Sequence, residues 1–194
     1  MEMDESYFRN YAGSGQPYWR TWLLYTHPED CVAWVREQPR SAIRSLWVLG
    51  AATGQVLRYL DRRLGLQPWG CEVSPWAYGR IPRRYRRRVR LASMTTEVER
   101  WIGRRRVFDL TYSNSLIYLS PEELAAFLPR LALATRHLHF HSSVRGACCP
   151  DPHRRTLESW SWWEARFRAA GFEHLPPRRG KRRGFVWRSL KCEG

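Results

Sequence analysis

The sequence predicts an α/β chain: a mostly parallel seven-stranded sheet with an antiparallel last strand and helices on both faces. Three observations carry this. Short apolar runs alternate with longer helix-patterned stretches, the arrangement of consecutive βαβ units. The first run, Leu46-Trp47-Val48-Leu49, stops at a small-residue turn, Gly50-Ala51-Ala52-Thr53-Gly54. A helical pattern follows at once, with Val56, Leu57 and Leu60 apolar against Arg58 and Asp61. The last two apolar runs are joined by a short loop, which pairs neighbouring strands antiparallel.

Taken in order, residues 1–20 are aromatic and Gly-containing (Tyr7, Phe8, Tyr11, Gly13, Gly15, Tyr18, Trp19). Residues 29–37 read as a helix that ends before Pro39. Strand 45–49, helix 54–64 and strand 67–72 follow, then a short helix at 75–80 stopped by Pro82. Ser74-Pro75 opens that helix, with Ser as cap and Pro in the first turn. Strand 89–93, helix 95–102 and strand 107–112 come next. Helix 120–135 has a strong start in Ser120-Pro121-Glu122-Glu123, and strand 137–142 follows it. Helix 155–170 and strands 171–175 and 184–191 complete the chain. Trp160, Trp163 and Phe167 share helical spacing and read as core.

Composition agrees with one compact unit. A chain of 194 residues, 43% of them hydrophobic, has material for a single core. No apolar run approaches the ~20 residues that span a bilayer. The opening MEMDESYF is acidic and lacks the apolar stretch of a secretory signal. The five cysteines, Cys31, Cys71, Cys148, Cys149 and Cys192, are odd in number and scattered. They read as reduced thiols, and the expected setting is cytoplasmic.

The turn at 50–54 decides the ligand class. Side chains this small let a ligand approach the backbone, and the helix N-terminus beyond offers free N–H groups. A dinucleotide fingerprint needs glycine where Ala52 and Gln55 stand, and a phosphate-binding P-loop needs a lysine that is missing. The stretch instead resembles motif I of the class I S-adenosylmethionine-dependent methyltransferases. The resemblance continues in register over roughly residues 40–191, through Trp69 to Pro75, Val89 to Met94, Phe108 to Leu119 and Ala170-Gly171-Phe172-Glu173. It departs at Val48, where an acidic residue is common two positions before the first glycine.

The resemblance implies a Rossmann-like methyltransferase fold and S-adenosylmethionine as cofactor. Leu49, Gly50, Ala51, Ala52, Thr53 and Gly54 would cradle its methionine part. Glu72, followed by Val73, would accept hydrogen bonds from the two ribose hydroxyls, chemistry that suits a carboxylate facing a diol. Ser93 and Met94 would lie beside the adenine, and Ser113 and Asn114 would close the site after the fourth strand. All of these follow strand ends, where open α/β sheets bind ligands. The implied organisation is an aromatic, helical lid segment over 1–38, in which Tyr11, Tyr18 and Trp19 close on the site; the alternative is a segment that buries these rings on the sheet edge. The cofactor-binding domain then occupies 39–194 of one compact whole.

The formal net charge of +15 points to polyanions. Two arginine runs, 83–90 and 104–106, precede strands and fall at the lower end of the sheet. The third, with Arg178, Arg179, Arg182 and Arg183, joins the last two strands at the upper end, where nucleic acid would first meet the site. Lysine stands only at 181 and 191, an arginine bias that gene base composition also explains. His137, His139 and His141 share one face of a strand. With Cys148 and Cys149 beyond them they raise the question of zinc, but adjacent cysteines lack structural-site spacing, so no metal is expected. His141, at the strand's upper end, is a candidate proton acceptor near neutral pH.

The expected function is methyl transfer to an unidentified acceptor, a small molecule first, with RNA and protein side chains open. No catalytic residue is assigned. The sulfonium methyl is already reactive, so the protein mainly positions the reactants and excludes water. The rival reading is an inactive methyltransferase-like fold that binds RNA.

Overall fold

Seven strands make one sheet: β1 (Leu46–Leu49), β2 (Trp69–Glu72), β3 (Val89–Leu91), β4 (Phe108–Ser113), β5 (Thr135–Phe140), β6 (Phe172–Leu175) and β7 (Val186–Ser189). Their order across the sheet is β3-β2-β1-β4-β5-β7-β6. The first five run parallel, and β7 lies antiparallel between β5 and β6. The computed structural model describes residues 3–11, 14–141, 151, 153–175 and 186–192, apart from the side chains of Leu24 and Tyr25. The Arg178, Arg179, Arg182 and Arg183 loop, Gly13, and the Cys148-Cys149 pair lie outside the described residues.

The alternation of β1 divides the core. Leu46 and Val48 pack with residues of α3 (Pro28–Arg36), α4 (Gln55–Leu64) and α6 (Arg83–Arg86). Trp47 and Leu49 pack on the other face with α7 (Met94–Gly103), α8 (Pro121–Ala134) and α9 (Trp160–Ala169). The sheet is thus covered on both sides, as parallel strands require. At its lower end the Asp109 carboxylate accepts from the Arg44 N–H, the Ser45 N–H and the Ser45 hydroxyl, all at 2.9 Å, and so ties the start of β1 to β4. Two helix starts form where the sequence places them. Ser74 caps α5 (Pro75–Arg80), and Ser120 and Glu123 form a reciprocal capping box on α8.

Three elements differ from the sequence reading. The last large helix begins at Trp160, not at 155. The Arg155 and Thr156 N–H groups both donate to the Ile117 carbonyl, at 2.9 and 3.0 Å, so this stretch is held out of the helix against a 3-10 turn over Leu116–Tyr118. Ser159 then caps the helix. The N-terminal stretch folds into α1 (Glu5–Arg9) and α2 (Tyr18–Thr26). Aromatic and β-branched residues dominate α2 and carry little helix propensity, so packing, not local preference, makes this helix. The basic run after Pro82 forms the short α6 because Tyr85 turns inward and donates to Asp61 at 2.7 Å. Among the described residues no helix is long and apolar enough to cross a membrane.

Candidate functional site

The chain leaves β1 toward β2 and β3 on one side and resumes at β4 on the other. A crevice therefore opens above β1 and β4, between loops that diverge. Two loops meet there closely. Gly50 has φ +73°, and a Cβ on it would stand 2.1 Å from the Ser115 hydroxyl oxygen. Only glycine lets the turn after β1 seat against the loop after β4. Ala52, two residues on, also has positive φ, at +46°. That conformation disfavours an L side chain and needs support. The support comes from Glu72 at the end of β2, whose Oε2 accepts from the Ala52 N–H at 2.6 Å.

Glu72 is only 4% exposed. Its second oxygen accepts from the Ser74 N–H at 2.8 Å. Burial pushes its carboxyl up from the usual range, and the N–H groups of Ser74 and Ala52 pull against that rise. Each oxygen has spent one hydrogen bond on the backbone and keeps capacity for another.

The cavity beside this carboxylate holds about 580 Å³, its open mouth included. Its floor is Gly50, Ala52, Glu72 and Val73, with Met94 and Asn114 on the walls. Its roof is aromatic: Tyr7 and Phe8 of α1, Tyr11, and Tyr18 of α2. These rings brace one another edge to face, Tyr7 on Tyr11 at 5.5 Å and Tyr11 on Tyr18 at 4.7 Å. Phe8 stacks on Trp76 at 5.3 Å. The Tyr7 and Tyr118 hydroxyls lie 2.8 Å apart, and both donate to Oδ2 of the buried Asp151, at 3.2 and 2.8 Å. Burial, with Asp151 adding to it, drives both phenols far above their ordinary range, so they are neutral donors at any working pH.

Solved structures share this architecture. The chain matches a sugar N-methyltransferase from Streptoalloteichus with a TM-score of 0.61 at 19% identity, covering 84% of this chain and 85% of that one. It matches magnesium protoporphyrin IX methyltransferase from Synechocystis, crystallised with SAM, with a TM-score of 0.58 at 17% identity over 84% and 75% of the two chains. A SAM-dependent methyltransferase from Archaeoglobus fulgidus gives 0.61 at 14% identity over 80% and 75%. This is the class I methyltransferase fold. No family model matches the sequence, and no curated protein matches it in sequence.

Within that methyltransferase fold, the residues singled out from sequence divide into two groups. Gly50, Ala52, Glu72, Val73, Met94 and Asn114 line the cavity. Leu49 and Ala51 are fully buried and stand behind its floor. Thr53 turns to Gln55, and Gly54 packs beside Pro82, where an added Cβ would sit at 3.0 Å. The Ser93 hydroxyl caps α7, and Ser113 is buried with its hydroxyl accepting from the Ser115 N–H at 3.1 Å. Of the three aromatics expected to form a lid, Tyr11 and Tyr18 line the cavity, whereas Trp19 does not line it and is 44% exposed. Adjacent helical positions point about 100° apart, so Tyr18 and Trp19 cannot share a face.

Sequence reasoning gave no role to Ser115 and Tyr118, which stand in the stretch resembling the fourth strand and its turn, and passed over Asp151. The N-terminal tyrosines were legible as a group, but not as partners of Asp151. His137, His139 and His141 do share a face. The His137 Nδ1 lies 3.0 Å from the Asp109 carbonyl, and His139 stacks on Tyr112. His141 lies against His27 with ring centroids 4.2 Å apart and is not part of the cavity lining. Burial, and the charge of His27, push it down to about 4, so its ring is neutral at pH 7. No cluster suited to a metal is present among the described residues.

Proposed function

We propose that this chain is an S-adenosylmethionine-dependent methyltransferase. The observation that carries the reading is the Glu72 carboxylate. It is buried at the end of the second parallel strand, fixed by two backbone donors, and faces a cavity whose floor turns through Gly50 and Ala52. These residues fit the cofactor. Glu72 retains capacity for the two ribose hydroxyls, and the turn at Gly50 and Ala52 leaves backbone bare for the methionine part. Val73 and Met94 offer apolar contacts for the adenine, and Asn114 offers an amide at the wall.

When bound, S-adenosylmethionine supplies an electrophilic methyl group on its sulfonium. The chain positions this group and excludes water. We assign the second task to the four-ring roof, which makes the N-terminal segment a cover and residues from 39 onward the binding domain. The acceptor we favour is a small molecule. Proteins of similar fold act on a sugar and on a porphyrin. The Tyr7–Tyr118–Asp151 cluster also sets a carboxylate behind two phenols in the cavity wall, an arrangement suited to a hydroxyl or amine acceptor. RNA and protein side chains are the other acceptor classes. A cytoplasmic setting suits the free thiols of Cys31, Cys71 and Cys192.

The test is calorimetric titration with S-adenosylhomocysteine, with NAD as the control. Binding with a Kd of about micromolar and no NAD binding supports the reading. Glu72→Ala should weaken binding by about 1.5–3 kcal/mol, roughly ten- to a hundredfold, the worth of a charged hydrogen-bonding group. No heat with the homocysteine compound, or equal heat with NAD, overturns it. Binding without transfer to any offered acceptor moves the reading to an inactive fold. That outcome is in keeping with Val48, fully buried where an acidic residue is common.

A further inference from the structure

A second concavity runs along the outer side of α2 and α4, away from the cofactor cavity, and holds about 1070 Å³ including its open face. Its walls alternate rings and cations. Trp19 and Trp22 come from α2, and Arg58, Tyr59, Arg62 and Arg63 from α4, with Gln55 at the upper end. The spacing is helical. Arg58 and Arg62 stand one turn apart on one line of α4, and Gln55, Tyr59 and Arg63 on the next. Trp22 meets Tyr59 edge to face at 5.8 Å, and the Arg63 guanidinium lies 5.4 Å from the Tyr59 centroid. Trp19 is left 44% exposed at the rim.

The charge in this groove is uncompensated. No carboxylate lines it. Among the described residues Arg58, Arg62 and Arg63 make no ion pair, whereas Arg90 and Arg100 both close on Glu97. Three cations along a groove suit an anion that repeats along a chain. The exposed Trp19 ring at the rim beside them suits a flat group that stacks. A duplex hides its base faces and supplies only the first. The formal net charge of +15 adds long-range attraction for such a partner.

We propose that the α2–α4 groove binds single-stranded nucleic acid, with phosphates on Arg58, Arg62 and Arg63 and a base stacked on Trp19. This surface is separate from the cofactor cavity and stands independently of the reaction proposed there.

The experiment uses a fluorescein-labelled, non-self-complementary 20-nucleotide RNA, its duplex, and heparin, titrated at several salt concentrations. Tight single-strand binding is expected, with duplex and heparin about tenfold weaker or worse. Replacing Arg58, Arg62 and Arg63 by Ala should cost at least about tenfold and reduce the slope of log affinity against log salt by about 2. Trp19→Ala should cost roughly tenfold with the slope unchanged. A control triple of Arg83→Ala, Arg87→Ala and Arg104→Ala, on other surfaces, should change little. Unaltered circular dichroism and thermal midpoint certify each fold, and Arg62→Ala alone replaces the triple if that fails to fold. Equal losses from the control triple, equal binding of heparin or duplex, or no single-strand binding would each overturn the proposal.

Discussion

Above β1 the chain turns through Gly50 and Ala52, side chains shrink to hydrogens and methyls, and the Glu72 carboxylate is held by backbone donors beside open space. Below β2 and β4 the same sheet ends in large rings capped by cations. The Arg106 guanidinium lies 4.8 Å from Trp69, 5.5 Å from Trp101 and 5.1 Å from Phe108. Arg88 covers Trp69 at 5.3 Å, and Arg100 covers Trp101 at 4.6 Å. The upper end spends stability to keep a surface bare, and the lower end fills every face. Arginines at the lower end already occupy the π faces they touch, so positive charge there plugs a core. In the α2–α4 groove it stands beside a ring left open.

Substitutions at the two ends should therefore fail differently. Trp101→Ala, at 3% exposure, removes a keystone of the lower end and should cost about 3–5 kcal/mol of stability. The protein that remains folded at low temperature should bind S-adenosylhomocysteine with unchanged Kd. Loss of affinity in that folded fraction would show that the two ends are coupled. Gly50→Ala adds a methyl that overlaps Ser115 in a left-handed conformation. It should cost about 2–4 kcal/mol of strain and overlap and abolish detectable binding. Gly103→Ala is the matched change in α7, where an added Cβ meets nothing within 4 Å. It should stay within about 0.5 kcal/mol by denaturant titration, with normal affinity. If Gly50→Ala binds normally, the close seating of the two upper loops is not what shapes the cavity.

This contrast also separates what the sequence made legible from what it did not. The strand–turn–helix at 46–57 and the acid at 72 could be read because local patterning and backbone conformation dictate them. Short apolar runs, small residues at a turn, and caps such as Ser120-Pro121 act within a few positions of themselves. The aromatic roof was legible only as composition. Tyr7, Tyr118 and Asp151 meet across separations of 111, 144 and 33 positions, and no local rule announces such a meeting. The divergence of Trp19 from Tyr18 is hidden in the sequence for a related reason. Its neighbour Tyr18 faces the cavity, but helix α2 was not foreseen, and without the helix their divergence cannot be seen. The start of α9 was placed five residues early because Thr156 and Arg155 bond to Ile117, a partner far away in the chain.

Charge separates the two ends again. The lower end carries arginines over its rings, whereas His139 and His141 under the upper end are kept neutral at pH 7. Burial, with the neighbouring His141 adding to it, pushes His139 down to about 3. The unfolded chain's histidine titrates near 6.5. Above that pH neither state binds the proton, and this residue leaves stability flat. Below it the unfolded state takes the proton first, so stability falls by about 1.4 kcal/mol per pH unit until the folded pKa is reached. His141, pushed down to about 4, acts in the same direction. Denaturant midpoints between pH 7.5 and 5 should therefore drop for the native chain and drop less steeply for His139→Phe, which keeps a ring on Tyr112. Parallel curves for the two proteins would mean that His139 already carries its proton when folded.

The smallest effect tests whether the lower arginines serve packing or charge. Arg106 is half-buried over three rings, so its stem and guanidinium both shield apolar surface. A partly exposed cation over aromatic rings contributes about 0.5–1 kcal/mol. Arg106→Ala should thus lower stability by about 1 kcal/mol, and Arg106→Met, which restores the stem without the charge, should recover roughly half of it. Neither should alter the salt dependence of single-strand binding, because Arg106 lies outside the α2–α4 groove. A shallower salt slope in Arg106→Ala would place nucleic acid at the lower end and dissolve the distinction between a plugged surface and an open one.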